Sequence, residues 1–303
     1  MYFTLRVDTD KPPKPENTQQ DAPRLLRLDS LLTEFGEDAE RRHESNRTGK
    51  PLGAVTGHNG LDQALGGALV PGIHVLHGTP GSGKTAFALQ VAAECQCPAL
   101  YLSCEMTPLE LLRRITARIT STYLNRFKTG EFSKEESLGL ARRACQKTRN
   151  LAILDGTTCP VPVTSLGGFL EAMRQIDTST EHLLLVVDSV HAWVRGMQAD
   201  VTEYDGLNAG IDALRVVASR YQCAILAIGE RNRASMKTGG QNAAAGTRSF
   251  EYSAETVLDL KADDKKTPDG TPITLTIEKN RQGAPGKKIE LNFEGALQEF
   301  KEL

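Results

Sequence analysis

Gly78-Thr79-Pro80-Gly81-Ser82-Gly83-Lys84-Thr85 decides the fold. The segment satisfies G-x-x-x-x-G-K-[ST] at every position. It follows the short apolar run Ile73–His77, read as a strand, and precedes the helical pattern Lys84–Glu94. Strand, glycine-rich turn and helix is the context a phosphate-binding loop requires. The glycines let the backbone curl until its N–H groups point inward at phosphate oxygens. The helix beginning near Gly83 adds the positive end of its dipole. Lys84 supplies a point charge to the β- and γ-phosphates, and Thr85 a hydroxyl to Mg²⁺. The chain is therefore expected to bind a nucleoside triphosphate.

The surrounding chain alternates in the same way. Further apolar runs stand at Ala99–Ser103, Leu151–Leu154, Leu183–Asp188 and Cys223–Ile228, separated by helical patterns at Leu109–Thr122, Val163–Gln175 and Gly206–Tyr221. That alternation predicts an α/β fold, a mostly parallel sheet flanked by helices. Near the end, Thr256–Lys261, Thr274–Lys279 and Ile289–Phe293 alternate apolar and polar residues between Gly/Pro turns. They predict C-terminal antiparallel strands that extend the sheet.

Three further positions fit hydrolysis. Asp188 ends a fully apolar strand and is placed to hold the metal's water shell. Glu105 follows the strand Ala99–Ser103, at the strand end where open α/β sheets bind ligands. It can deprotonate the attacking water, or it can serve as an N-terminal acid of the helix announced by Thr107 and Pro108. In Ile273–Arg281 the odd-numbered residues share one face: Ile273, Leu275 and Ile277, then Lys279 and Arg281. Two cations ending an apolar face need a counter-charge. A phosphate on an adjacent subunit supplies one, with Arg281 as an arginine finger in trans; a solvated strand end is the other reading.

Together these residues resemble the ATPase domain of DnaB-type replicative helicases, within the RecA-like P-loop ATPases. The likeness runs from about residue 25 to the C-terminus. It includes Thr56-Gly57-His58-Asn59-Gly60-Leu61-Asp62 with Gly66-Gly67, and Ser103-Cys104-Glu105-Met106, similar to S-L-E-M, whose glutamate is the catalytic base. Lys279-Asn280-Arg281-Gln282-Gly283-Ala284-Pro285-Gly286 is close to K-x-R-N-G-P-T-G, whose lysine and arginine reach the neighbour's γ-phosphate. Arg114 falls where the family often has an arginine near the nucleotide base. The resemblance implies ATP and Mg²⁺ as cofactors. It also implies a hexameric ring around single-stranded DNA, and a replication or loader protein as a further partner.

The departures are specific. No counterpart of the family's N-terminal domain is expected ahead of the core. Glu230, in Leu226-Ala227-Ile228-Gly229-Glu230-Arg231-Asn232-Arg233, stands where the family has a glutamine that senses the γ-phosphate. A carboxylate beside a polyanion is repelled unless paired, and Arg231 or Arg233 can pair with it. The run Gly66–Gly72 also resembles RadA-type recombination ATPases, whose zinc finger and protease-like domain are missing. A regulatory or loading ATPase that does not unwind DNA is therefore the alternative to a DNA-translocating helicase.

Two channel-facing loops are implied near 195–205 and 235–248. In the second, Lys237, Thr247 and Arg248 can contact DNA phosphates; a glycine-rich surface loop without a ligand is the other reading. The formal net charge of −2 announces no nucleic-acid binder and excludes none. No apolar run approaches a membrane span, and the N-terminus carries no secretory pattern, so a cytoplasmic protein is expected. None of the six cysteines has CxxC spacing, which argues against zinc.

Residues 1–22 are rich in Pro, Asp, Lys and Gln and are expected to be a disordered tail. Residues 23–50 are expected to be an amphipathic linker helix, with Leu28, Leu31, Leu32, Phe35 and Ala39 as its stripe, followed by a polar linker from His43 to Lys50. That stripe packs on its own domain or on a neighbouring subunit. Residues 51–303 form the RecA-like ATPase domain.

Overall fold

The computed structural model describes residues 25–197, 202–230, 251–263 and 270–303, with backbone only at 203 and 204. The described chain divides into two units, one ending at Leu52 and the other running from Gly53 to Leu303. The first holds a short 3-10 turn, Leu28–Leu31, and helix α1, Leu32–Thr48. The helix continues through the stretch read as a linker from His43. Side-chain pairs hold its polar surface, with Arg42 to Asp38 at 2.7 Å and Arg47 to Glu44 at 2.6 Å. It stops at Gly49, whose left-handed φ of 71° lets its N–H return to Ser45 O. Leu28, Leu32 and Phe35 are exposed.

In the second unit the strands are β1 Gly72–Gly78, β2 Ala99–Ser103, β3 Leu151–Asp155, β4 Leu184–Asp188, β5 Ala224–Ile228, β6 Thr256–Ala262, β7 Thr271–Asn280, β8 Lys288–Glu294 and β9 Glu299–Glu302. Among the described residues they form one sheet in the order β3-β2-β4-β5-β1-β6-β7-β8-β9. From β3 to β6 every pairing is parallel, and from β6 to β9 every pairing is antiparallel. The expectation of an antiparallel strand at Thr256–Lys261 is thus half corrected, because β6 is parallel to β1 on one side and antiparallel to β7 on the other. Its first five residues are all buried, so its alternation does not mark a solvent face.

Helices cover both faces. On one, α3 Lys84–Glu94 and α4 Pro108–Ile119 bury Phe87, Val91, Leu111 and Ile115 against Tyr101, Val186 and Leu258. On the other, α7 Val163–Arg174, α8 Val190–Met197 and α9 Glu203–Tyr221 bury Leu166, Leu170, Trp193 and Leu214 against Leu102, Val187 and Val257. Helix α2 Asn59–Ala64 precedes β1, and α5 Leu124–Lys128 and α6 Lys134–Lys147 follow α4. Ser133 and Glu136 close a reciprocal capping box on α6.

His74, in the middle of β1, is fully buried. Its Nε2 lies 2.8 Å from Val70 O and its Nδ1 2.8 Å from Thr256 Oγ1. A carbonyl only accepts, so Nε2 carries the proton and Nδ1 accepts from the Thr256 hydroxyl. Burial holds the ring's pKa down at about 4 against an ordinary 6.5. The unfolded chain therefore takes up a proton that the folded chain refuses. The stability involved is complete above pH 6.5 and is lost as pH falls toward 4, in total roughly 3 kcal/mol. His74→Gln is expected to be less stable than wild type at pH 7 and to lose less on acidification to pH 4.5. Equal losses in denaturant midpoints would remove His74 as the cause.

Candidate nucleotide site

Parallel strands place their carboxyl ends on one edge, and four of them carry the predicted residues there. β1 leads into the phosphate loop, β2 into Glu105, β4 ends at Asp188, and β5 leads to Glu230. Gly78, Pro80, Gly81, Gly83, Lys84, Thr85, Glu105, Arg114, Asp188 and Glu230 line a single cleft of about 610 Å³. Thr79 and Ser82 belong to the loop without lining it; Ser82 N–H donates to Thr79 O at 3.1 Å and closes the turn.

The loop is shaped for an anion. Gly83 is the N-cap of α3 at φ 87°, and no side chain caps the helix, so its first-turn N–H groups remain for a ligand. A side chain at Gly83 meets an obstacle as well as strain, because a Cβ there would lie 2.8 Å from Phe300 Cζ and 3.1 Å from Phe293 Cε1. Lys84 folds back on the loop, its Nζ donating to Gly78 O at 2.9 Å and Thr79 O at 3.2 Å. Burial lowers its pKa, opposed by the charges of Glu230, Asp188, Glu105 and Asp259. Those carboxylates favour the charged form of Lys84, which burial opposes.

Asp188 is 3% exposed. Burial raises its pKa, while hydrogen bonds from Tyr101 and Thr85 and the Lys84 charge pull it back down. Thr85 and Asp188 line the same cleft, a hydroxyl and a carboxylate, the hard oxygen donors that suit Mg²⁺. The Asp188–Ser189 peptide is cis. Ser189 Oγ donates to Glu105 Oε1, which ties the residue after the metal-side acid to the candidate base. Helix α4 starts at Pro108, with Thr107 as N-cap and Glu110 as its first-turn acid. Glu105 therefore precedes the helix, and the dipole-pairing role falls to Glu110.

At the other end of the cleft, Arg114 donates to Gln298 Oε1 and approaches Glu110 at 3.6 Å. Phe293 and Gln298 line this end. The sequence reading misses both, since they reach the cleft only because β8 and β9 fold back toward α3. Glu230 N–H donates to His191 Nδ1 at 3.3 Å. Its expected partners Arg231 and Arg233 lie outside the described residues, as do the tail 1–22 and the candidate DNA contacts Lys237, Thr247 and Arg248.

Lys279 and Arg281 do not join the cleft. The reading that they continue the Ile273–Ile277 face is corrected. Lys279 pairs with Val257 but Ile277 with Leu258, so a bulge adds one residue, Glu278, between them. The bulge reverses the alternation and puts Lys279 on the Val257 face, opposite Ile277. Lys279 Nζ donates to Glu251 O and Tyr252 O at 3.0 and 2.8 Å. Arg281 donates to Glu255 Oε1 and Tyr252 O, each at 3.1 Å. Its N–H donates to Glu255 O, and Glu255 N–H to Ile73 O, which sets Arg281 level with Ile73. Gly78 lies five positions further along β1, roughly 16 Å away at about 3.3 Å per residue.

Comparison with known proteins agrees with this fold. The family described as "DnaB-like helicase C terminal domain" matches residues 53–302. A DNA repair protein RadA from Mycobacterium tuberculosis is 28% identical over 76% of this chain and 39% of its own length. A replicative DNA helicase DnaB from Synechocystis sp. is 25% identical over 69% of this chain and 24% of its own. The chain thus spans well under half of these relatives. Among solved structures, a chain described as an ATPase domain superposes with a TM-score of 0.75 at 18% identity, covering 92% of this chain and 100% of that one. A DnaB-like replicative helicase, described with its primase interactions, superposes at 0.73 and 18% identity over 92% of this chain and 68% of its own. The mixed sheet with its helical layers is RecA-like, and the chain belongs to the family of the DnaB-like helicase C-terminal domain.

Proposed function

We propose that this chain is the motor of a ring-forming, DNA-dependent ATPase of replicative-helicase type, which hydrolyses ATP between subunits. The observation that carries the reading is the separation of the site into two halves. The phosphate loop, Asp188 and Glu105 share one cleft, while Arg281 stands level with Ile73, at the amino end of β1, and Lys279 level with Val75. That is farther from the chain's own loop than an arginine side chain reaches. A second copy, presenting its Lys279 and Arg281 to this cleft, completes the site.

In that site the loop N–H groups and Lys84 bind the β- and γ-phosphates, and Arg114 stands at the base end. Thr85 and Asp188 hold Mg²⁺, which when bound neutralises charge on those phosphates. Glu105, oriented by Ser189, takes the proton of the attacking water. Arg281 from the neighbour, with Lys279, stabilises charge on the transferred phosphoryl group. The stripe of Leu28, Leu32 and Phe35 docks on the next subunit. Lys237, Thr247 and Arg248 contact the backbone of single-stranded DNA without reading its sequence.

A second reading, a RecA- or RadA-like regulatory ATPase that binds DNA or a protein without unwinding, draws on Glu230. Its carboxylate lines the cleft and acts on Lys84, so nucleotide sensing there differs from that of a neutral glutamine. ATP turnover measured with and without single-stranded DNA at low salt tests the primary reading. A severalfold rise is expected; no rise would discard DNA dependence. A rise without strand separation on a forked duplex would favour the second reading.

A further inference from the structure

The metal-side carboxylate has a partner outside the rim of the cleft. Asp188 is buried, and a buried carboxylate needs donors to stay ionised. The Tyr101 hydroxyl is one such donor, reaching Asp188 Oδ2 at 2.7 Å.

Tyr101 reaches Asp188 because of strand register. Tyr101 pairs with Val186 and Ser103 with Asp188, so Tyr101 and Asp188 are diagonal neighbours on the same face of β2 and β4. Diagonal neighbours lie about 7–8 Å apart at the backbone, a gap only long side chains bridge. Serine or threonine at 101 would fall short. The ring is fully buried in the core shared with α3, so packing sets where the hydroxyl points. A buried phenol needs an acceptor, and the fold directs this one at the metal-side acid.

We propose that Tyr101 is a positioning residue for the cation that accompanies the triphosphate. Its hydroxyl holds Oδ2 of Asp188 to the protein and so fixes the orientation in which the carboxylate would serve the cation's water shell. Tyr101 itself touches neither nucleotide nor metal. The inference rests on Thr85 and Asp188 being the Mg²⁺ site.

The test is the affinity of wild type and Tyr101→Phe for a fluorescent ATP analogue, in EDTA and across a Mg²⁺ titration. Phenylalanine keeps the ring and removes only the hydroxyl. Affinity in EDTA is expected to stay within twofold of wild type, which also reports an intact fold. The Mg²⁺ concentration giving half of the metal-dependent gain is expected to rise about tenfold, as for other groups that orient a ligand. In an Asp188→Asn background the same change is expected to move that midpoint no further. An unchanged midpoint in Tyr101→Phe would overturn the proposal. So would an equal shift in the Asp188→Asn background, since Tyr101 would then act through packing. A wild-type chain whose affinity ignores Mg²⁺, or an Asp188→Asn chain with a wild-type midpoint, would instead overturn the metal-site reading beneath it.

Discussion

Arg281→Ala is expected to lower ATP turnover about a thousandfold, roughly 4 kcal/mol of transition-state stabilisation, while nucleotide affinity stays within a few-fold of wild type. The separation follows from geometry. In the proposed site the chain's own cleft takes the triphosphate through its loop, Lys84, Thr85 and Asp188, and Arg281 does not line that cleft. Loss of the guanidinium is therefore expected to spare ground-state binding and to remove charge stabilisation in the transition state. In the single chain Arg281 is held by Tyr252 O and by Glu255, the latter pair with side chains 50% and 21% exposed. A pair that open to water is worth only about 0.2–1 kcal/mol, so breaking it toward a phosphate costs little. Turnover retained within tenfold in the variant, at concentrations where the assembly is intact, would rule out an arginine finger at this position.

Glu105→Gln is expected to reduce turnover by a comparable factor, about 10²–10⁴. Glutamine keeps the side-chain length and an oxygen to accept the Ser189 hydroxyl, so the rim of the cleft is preserved. What disappears is the carboxylate proposed to take the proton from water. Binding of ATP is expected to persist, and the variant should hold nucleotide without consuming it. Single-turnover measurements on the assembled protein decide the matter. A chemical step within tenfold of wild type would move the base elsewhere, and Glu105 would then be only a partner of Ser189.

The site is legible in the sequence where function follows strand ends. The loop, Glu105, Asp188 and Glu230 each come directly after an apolar run, and parallel pairing puts those ends on one edge. Phe293 and Gln298 carry no such mark. They enter the cleft through the fold-back of β8 and β9, a contact between distant parts of the chain. The face of Lys279 is misread when alternation is counted through Glu278, where a bulge adds a residue with no Gly or Pro to announce it. The functional expectation for Lys279 and Arg281 no longer draws on a shared apolar face. It draws on where β7 ends relative to β1. Helix α1 reads as too short because its polar end resembles a linker, although the Asp38 and Glu44 pairs stabilise helix on an exposed surface. Tyr101 is invisible in the sequence, since nothing in an apolar run shows that one hydroxyl will meet Asp188 across the register of two strands.

Completion of the proposed nucleotide site by a second copy is tested by measuring ATP turnover per chain across a dilution series, with the mass of the assembly measured at each concentration. Turnover per chain is expected to fall in step with the assembled fraction, while monomers still bind nucleotide. Monomers that hydrolyse ATP at the per-chain rate of the assembly would contradict the account.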